Sequence, residues 1–195
     1  DANLPASQLT FEMARTYNSQ SDKQGMFGNG WYDSFHRELY HVGDQVVFQD
    51  SDAYKWLEAA AYAVADKPDE NLERQADELI DLIADAQDKD GYLNTFFTIK
   101  DTEKRWTNLL EGHELYCSGH LIEAACTYYE TTGKRKLLDI AVKNAECIYD
   151  RFVMQNTEGI PGHPEIELAL LRLYRLTENK HFLELAQKFI NERGK

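Results

Sequence analysis

Residues 129–141 read YETTGKRKLLDIA, and residues 174–186 read YRLTENKHFLELA. At an offset of 45 residues, the Tyr, Thr, Leu and Ala at 129, 132, 138 and 141 recur at 174, 177, 183 and 186. Each stretch has the pattern of one helix ending, a tight turn and a second helix beginning. A helix–turn–helix unit that recurs in this way is typical of helical-hairpin repeats, which form an α/α toroid or an open α-solenoid.

The hydrophobic periodicity is helical from residue 50 onward, and two kinds of helix alternate. One kind, as in 69–88 and 135–152, carries a single narrow apolar stripe and therefore packs on one side only. The other kind, as in 52–66 and 164–177, is apolar on most faces and is therefore buried on most faces. The six predicted helices span 52–66, 69–88, 114–131, 135–152, 164–177 and 180–192.

Local signals mark several of the helix ends. Asp52 and Asp69 are suited to be N-caps of their helices. Pro164 is suited to a first helical turn, and Gly133 to the position that follows a helix. These signals agree with the ends that the periodicity predicts.

The order inner, outer, inner, outer, inner, outer predicts an all-α fold made of three helical hairpins of an α/α toroid. An (α/α)6 barrel needs six hairpins, so we expect a truncated half barrel. Residues 1–49 lack this regularity because glycines interrupt an aromatic stretch, and we predict loops there with one or two short helices, the first over 7–17. We expect this segment to form one domain with the hairpins of 50–195.

Composition argues against several partners. The 195-residue chain carries a formal net charge of −13, which argues against nucleic acids and anionic membranes. No apolar run is long enough to span a membrane. Cys117, Cys126 and Cys147 form neither a disulfide framework nor a CxxC metal motif. Unpaired thiols and the lack of a recognisable signal peptide favour a cytoplasmic location, with a secreted or periplasmic one as the alternative.

Polar residues gather at the predicted starts of the three buried helices. The segments 48–52, 111–114 and 161–165 read FQDSD, EGHE and PGHPE. In parallel inner helices these starts share one rim of the barrel, where free N–H groups and the helix dipoles favour polar ligands. His113 and His163 follow glycine at equivalent places, which indicates a rim that binds hydroxyl groups.

Several of these polar residues also have a structural interpretation. Asp50 or Asp52 is suited to cap its helix, while Glu114 and Glu165 are suited to complement a helix dipole. We interpret His120, inside a helix, as a satisfied core residue. No carboxylate pair can be assigned as acid and base from spacing alone, and no nucleophile elbow, P-loop or HExxH motif is present. The sequence therefore identifies no catalytic residue.

Five segments resemble, in order, signatures of the catalytic domain of bacterial β-L-arabinofuranosidases of glycoside hydrolase family 127. They are DSDAYKWLEAA (50–60), DGYLNT (90–95), RWTNL (105–109), EGHELYCSGHLIEAA (111–125) and GHPEIELAL (162–170). The resemblance is dense, and it covers the chain from residue 50 to about residue 194.

This resemblance implies an (α/α)6 barrel followed by β-sandwich domains, and retaining hydrolysis of terminal β-L-arabinofuranosides of plant-derived glycans. It implies that His113 and His163 contact sugar hydroxyls, with Phe48 and Asp50 in the same pocket. Glu114 at the same rim is a fifth candidate for substrate binding.

The resemblance also implies a zinc-bound cysteine as nucleophile, with the zinc held by a glutamate and further cysteines. Those residues lie downstream of every matched segment. We therefore expect this chain to bind no zinc itself and to be inactive alone.

Two other functions fit hairpin repeats. A helical-repeat scaffold would bind partners on its concave face, but it has no reason to begin successive inner helices with Gly-His and an acid. Another α/α-toroid enzyme, an unsaturated-uronide hydrolase or a sugar epimerase, is the third possibility, and uronides favour Arg or Lys at the rim. The expected partners are an arabinofuranoside oligosaccharide and, through exposed apolar edges, the missing C-terminal half of the barrel or another copy of the chain.

Overall fold

The computed structural model describes residues 48–193, together with the backbone of four two-residue strands before them. These strands form two antiparallel pairs, β1 (Thr16–Tyr17) with β4 (Trp31–Tyr32) and β2 (Gln24–Gly25) with β3 (Gly28–Asn29). The end of the short helix predicted over 7–17 is therefore a strand, and the remainder of that prediction lies outside the described residues.

The chain divides into two compact units, Asp1–Gln45 and Val46–Lys195. The prediction that 1–49 and 50–195 form one domain stays a prediction. Among the described residues, no helix combines the length and the apolar character needed to cross a bilayer.

Residues 48–193 are helical and contain no strand, which confirms the all-α prediction. The six long helices agree closely with the predicted ones, except that the fourth ends three residues early and continues as a π-helical turn, Asp150–Met154. A short helix, α3, was not predicted. In chain order the α-helices are α1 (Asp50–Asp66), α2 (Glu70–Ala86), α3 (Thr95–Lys100), α4 (Glu114–Thr132), α5 (Lys136–Tyr149), α6 (Ile166–Thr177) and α7 (Lys180–Glu192).

The long helices pack as three hairpins in two layers. α4 lies between α1 and α6 in the inner layer, while α2, α5 and α7 form the outer layer, each against its hairpin partner. α4 is buried on most faces, whereas α7 buries one stripe, Phe182, Leu185, Ala186 and Phe189. The predicted alternation of inner and outer helices is confirmed.

Gly119 allows α4 and α6 to approach closely. A Cβ atom at this position would lie 2.6 Å from Cγ of Glu165 and 3.0 Å from the backbone nitrogen of Ile166. Contacts this short require a neighbour to move, so a side chain at residue 119 would push the two inner helices apart.

Two of the four predicted end signals act as expected. The Asp69 carboxylate caps α2 by accepting from the N–H groups of Asn71 and Leu72 at 3.0 Å. Gly133 follows α4 with a φ of 73°, a left-handed conformation that favours glycine. Asp52, in contrast, lies inside α1, because that helix begins two residues earlier than predicted. Pro164 precedes α6, which begins at Ile166.

The connection between α2 and α4 returns the chain to the start of the inner layer. Gly91, with a φ of 98°, makes the first turn, and a Cβ there would lie 2.3 Å from the carbonyl oxygen of Lys143. Asn94 then caps α3 by accepting from the N–H of Phe97. A 3-10 turn, Thr102–Lys104, leads on towards α4. This connection holds the start of α4 in place.

Candidate functional site

The starts of α1, α4 and α6 meet in a group of rings that we call the rim cluster: Phe48, His113, Tyr116, His120 and His163. The ring centroids of His113 and His163 are 5.0 Å apart, and the Phe48 ring lies 5.6 Å from that of His113. The structure therefore brings together the three helix starts that the sequence analysis selected.

The two rim histidines form a directional pair. Nδ1 of His113 lies 2.7 Å from the carbonyl oxygen of Glu111, and its Nε2 lies 3.1 Å from Nε2 of His163. Because a carbonyl oxygen can only accept, His113 carries its proton on Nδ1. Its Nε2 lone pair then accepts from His163, whose proton is on Nε2. With one proton on each ring, the contact to Glu111 thus sets the tautomers of both histidines.

The glycine before each rim histidine permits close backbone packing. A Cβ at Gly162 would lie 2.6 Å from the carbonyl oxygen of Leu110, in the segment that leads to His113. A Cβ at Gly112 would lie 2.6 Å from the carbonyl oxygen of Asn108. Gly162 therefore lets the two loops that carry the histidines lie against each other, while Gly112 permits a tight turn within the loop that carries His113.

Tyr116, early in α4, contacts all three histidines of the rim cluster. Its ring centroid lies 5.9 Å from that of His113, 5.4 Å from that of His163 and 4.5 Å from that of His120. Tyr116 is not recognisable as a site residue from the sequence, because a tyrosine on an inner helix has the same pattern as a core tyrosine.

Lys55 of α1 links the inner helices at the rim. Its Nζ donates to Oη of Tyr116 at 2.8 Å and to Oγ of Ser51 at 3.1 Å. The carboxylate of Asp52 lies 3.9 Å from the same Nζ, in a half-exposed contact that contributes little. Lys55 was also missed, since one lysine on a buried helix gives no signal of its own.

His120 is half-buried, and its Nδ1 lies 3.4 Å from Oε1 of Glu165. Burial, aided by the charge of Lys55, lowers the pKa of His120 to about 4, so its ring is neutral at neutral pH. The contact is therefore a neutral polar contact and not an ion pair. Burial, with the carboxylates of Glu123 and Glu58, raises the pKa of Glu165.

Asp50 is buried at the start of α1 and faces the connection before α3. Its carboxylate accepts from the backbone N–H of Thr95 at 2.7 Å and from the Thr95 hydroxyl at 2.5 Å. Burial raises the pKa of Asp50, and the two hydrogen bonds from Thr95 oppose that shift. The Asp50 carboxylate therefore links α1 to the start of α3 through these two hydrogen bonds.

Glu114, the first residue of α4, is 1% exposed and holds two loop segments. Its carboxylate accepts from the Tyr92 hydroxyl at 2.5 Å and from the backbone N–H of Trp106 at 2.9 Å. Burial raises the pKa of Glu114 to about 7, although the bonds from Tyr92 and Trp106 and the charge of Arg105 oppose the shift. We call Asp50, Thr95, Tyr92, Trp106 and Glu114 the support network.

The five candidate residues from the sequence therefore fall into two groups. Phe48, His113 and His163 lie in the rim cluster. Asp50 and Glu114 are buried in the support network, where described residues occupy their carboxylates. The substrate-binding assignment of all five stays a prediction.

No three His, Cys, Asp or Glu side chains among the described residues lie close enough together to hold a metal ion. Cys117 and Cys126 are buried, and Cys147 is half-buried. Burial raises the pKa of all three thiols, to about 12 for Cys126 and Cys147, which opposes the thiolate form that zinc requires. These residues do not fit the zinc centre that the resemblance implies.

The rim cluster is suited to a neutral ligand rich in hydroxyl groups. It offers imidazole nitrogens with set donor and acceptor roles, a phenol hydroxyl, and aromatic faces that can cover the apolar side of a sugar ring. It contains no pair of carboxylates placed to act as acid and base.

Comparison with known proteins identifies the family. A family model described as the β-L-arabinofuranosidase, GH127 catalytic domain, matches residues 8–195. The non-reducing end β-L-arabinofuranosidase of Bifidobacterium longum subsp. longum is 46% identical over 155 residues, which are 76% of this chain and 24% of that protein. The chain belongs to the GH127 β-L-arabinofuranosidase family.

Solved structures agree with this assignment. A GH127 β-L-arabinofuranosidase from Geobacillus stearothermophilus T6 matches with a TM-score of 0.73 and 51% identity, over 82% of this chain and 26% of that one. Another GH127 β-arabinofuranosidase matches with a TM-score of 0.74 and 38% identity, over 80% of this chain and 26% of that one. The chain thus spans about a quarter of the length of these relatives.

Proposed function

We propose that this chain forms part of the catalytic domain of a retaining glycosidase that removes terminal β-L-arabinofuranosyl groups from plant-derived glycans. The observation that carries the proposal is the His113–His163 pair, which joins the starts of two inner helices with set donor and acceptor roles. Relatives named β-L-arabinofuranosidase support the substrate class.

In this proposal the rim cluster binds and orients the sugar. A sugar hydroxyl both donates and accepts, so one hydroxyl that replaces the direct Nε2–Nε2 contact can donate to Nε2 of His113 and accept from Nε2–H of His163. The Phe48 side chain is 41% exposed beside His113 and offers an apolar face to the ring carbons of the sugar.

We further propose that the bond-breaking residues lie outside this chain. Its cysteines are buried thiols whose raised pKa values make them poor nucleophiles. When bound, the zinc ion of the family would supply a thiolate held ready for attack. Ligands for such a centre would come from other parts of the full-length protein, and the chain alone would be inactive.

The alternatives gain less support. A scaffold gives no reason for the paired tautomers of His113 and His163. A uronide enzyme needs a cation free to bind a carboxylate, whereas the Lys55 ammonium already donates to Tyr116 and Ser51. Membership of the GH127 family favours the arabinofuranoside over both.

The direct test is hydrolysis of p-nitrophenyl β-L-arabinofuranoside by the full-length protein and by this chain alone, each with zinc and reductant. We expect release of p-nitrophenol by the full-length protein only, and little release from the α-L anomer. A Cys117→Ser variant of both forms is the matched control, and it should leave the rates unchanged.

Two outcomes would contradict the proposal. Hydrolysis by the chain alone that is abolished by Cys117→Ser would place the nucleophile in this chain. An inactive but folded full-length protein would reject the arabinofuranoside as substrate.

A further inference from the structure

We infer that Tyr116 is a further ligand-binding residue of the rim and that Lys55 is the positioning residue that sets the direction of its hydroxyl. This inference rests on the proposed function, because it assigns roles within the same site.

The contact between the two side chains has only one possible direction. Lys55 Nζ and Tyr116 Oη are 2.8 Å apart, and an ammonium group has protons but no lone pair. The phenol oxygen must therefore accept from Lys55. Its own proton is left to point elsewhere, so that the hydroxyl acts as a donor towards any other partner.

The Tyr116 hydroxyl has no acceptor among the described residues. Its only hydrogen bond within 48–193 is the one it accepts from Lys55. The tyrosine is half-buried, and its ring packs against the rings of His113 and His163. A donor that has no acceptor among residues 48–193 thus lies beside the two histidines that the proposed function assigns to the sugar.

Lys55 is itself held in place. It lies on α1 one helical turn after Ser51, which is fully buried and accepts from the same Nζ at 3.1 Å. Ser51 therefore aims the ammonium group across to α4. Two inner helices together orient one phenol, which makes Lys55 a positioning residue without contact to the ligand.

The pair has a consequence for specificity. With Lys55 in place, Tyr116 donates to an oxygen of the ligand. When the ligand also replaces the His113–His163 contact, the rim offers two donors, Tyr116 and His163, and one acceptor, His113. A furanoside with a hydroxyl or ring oxygen opposite Tyr116 is favoured. A deoxy analogue lacking that oxygen would leave the phenol proton unpaired and bind more weakly.

The test is a double-mutant cycle in the full-length protein, with KM and kcat for p-nitrophenyl β-L-arabinofuranoside as readouts. Tyr116→Phe should raise KM about fivefold to tenfold, the size expected for one lost hydrogen bond, and change kcat less. Lys55→Met should have a similar effect in the wild-type background, but less than about twofold in the Tyr116→Phe background, because its partner is then absent.

Controls separate positioning from folding. Lys67→Met changes an exposed lysine at the end of α1 and should leave KM unchanged. Lys55→Arg keeps a donor and should keep KM within about twofold of wild type. Thermal melting of each variant shows whether it is folded, and if Lys55→Met does not fold, Lys55→Gln takes its place in the cycle.

Full additivity of the Lys55 and Tyr116 effects on KM would overturn the inference, as would an unchanged KM in Tyr116→Phe. His113→Asn and His163→Asn separate this failure from that of the proposed function. If they raise KM while Tyr116→Phe does not, only the present inference fails. If all of them leave KM unchanged, the proposed sugar-binding rim fails.

Discussion

The rim cluster and the support network occupy the same end of the inner helices, yet their candidate polar side chains are accessible in the first and buried in the second. In the rim cluster, His113 and His163 remain accessible and bond to one another across two loops. In the support network, Asp50 and Glu114 are buried, and residues of the neighbouring connection occupy their carboxylates. All four were selected from the sequence by the same signal, a polar residue at the start of an inner helix.

The difference shows how a helix start can serve two purposes. Buried acids at these starts stabilise the return of the chain, because they accept from the N–H groups of Thr95 and Trp106. His113, which directly precedes Glu114, and His163, on the facing loop, are thereby held at the surface. Changes in the support network should therefore cost stability, and changes in the rim cluster should cost ligand binding.

The largest effect on stability is expected for Glu114→Ala. It removes the acceptor for the buried Tyr92 hydroxyl and for the part-buried Trp106 N–H. We expect the free energy of unfolding to fall by about 4 kcal/mol, measured by urea denaturation. A loss below about 1 kcal/mol would mean that water reaches these groups, and the distinction between the two regions would be lost.

The next largest effect is the change in protein stability with pH that the titration of Glu114 causes. Burial raises its folded pKa to about 7, above the unfolded value near 4.5, so the folded state holds a proton that the unfolded state releases. Stability due to this group is therefore full below pH 4.5 and is lost as pH rises towards 7. Between pH 5 and 8 the loss should be about 2 kcal/mol.

Glu114→Gln isolates this contribution, because glutamine resembles the protonated acid and does not titrate. The stability difference, variant minus wild type, should rise with pH across this window. Taking the difference cancels the opposite trend from His120, whose pKa is lowered to about 4. A difference that stays flat, or falls with pH, would contradict the raised pKa of Glu114.

A smaller loss is expected for Gly119→Ala. Its Cβ would meet Cγ of Glu165 at 2.6 Å and push α6 from α4, although alanine favours a helix more than glycine does. We expect a net destabilisation of about 1–2 kcal/mol in thermal or urea unfolding. Gly133→Asn is the matched control, since nothing lies within 4 Å of its Cβ and asparagine tolerates the left-handed conformation. Equal losses in both variants would rule out the helix contact as the cause.

The smallest effect on stability is expected in the rim cluster. His113→Asn removes a half-buried ring, but asparagine tolerates the left-handed backbone of residue 113, whose φ is 55°, and the free energy of unfolding should change by less than about 1 kcal/mol. The check is the same urea titration that is applied to Glu114→Ala. A loss as large as that of Glu114→Ala would show that His113 is a structural residue and that the two regions contribute alike to stability.

Most of the fold was predictable from the sequence because the helices carry their own signals. The stripe of α7 and the left-handed Gly133 are local features, visible without tertiary contacts. Helix α3 was missed although Asn94 caps it locally, because six residues are too few to show a helical periodicity and its first residue, Thr95, is also held by Asp50, 45 positions earlier. The end of α5 was missed for a related reason, because the π-helical turn keeps Phe152 buried where an apolar stripe predicts ordinary helix.

The site was predictable in part. The repeated Gly-His pair pointed to His113 and His163, and the close backbone contact at Gly162 explains the glycine. Tyr116 and Lys55 were not predictable, because their roles depend on a contact between two residues that are 61 positions apart in sequence. Burial also could not be judged for Glu114, since an acid at a helix start looks the same whether or not a loop covers it.

The central claim, that the rim binds an arabinofuranoside and the support network holds it in place, is tested most directly by His163→Asn in the full-length protein. KM for p-nitrophenyl β-L-arabinofuranoside and the melting temperature would be measured together, with His181→Asn, an exposed histidine of α7, as the control. We predict that KM rises about tenfold or more while the melting temperature stays within about 2 °C of wild type. An unchanged KM, or a rise in KM matched by His181→Asn, would contradict the account.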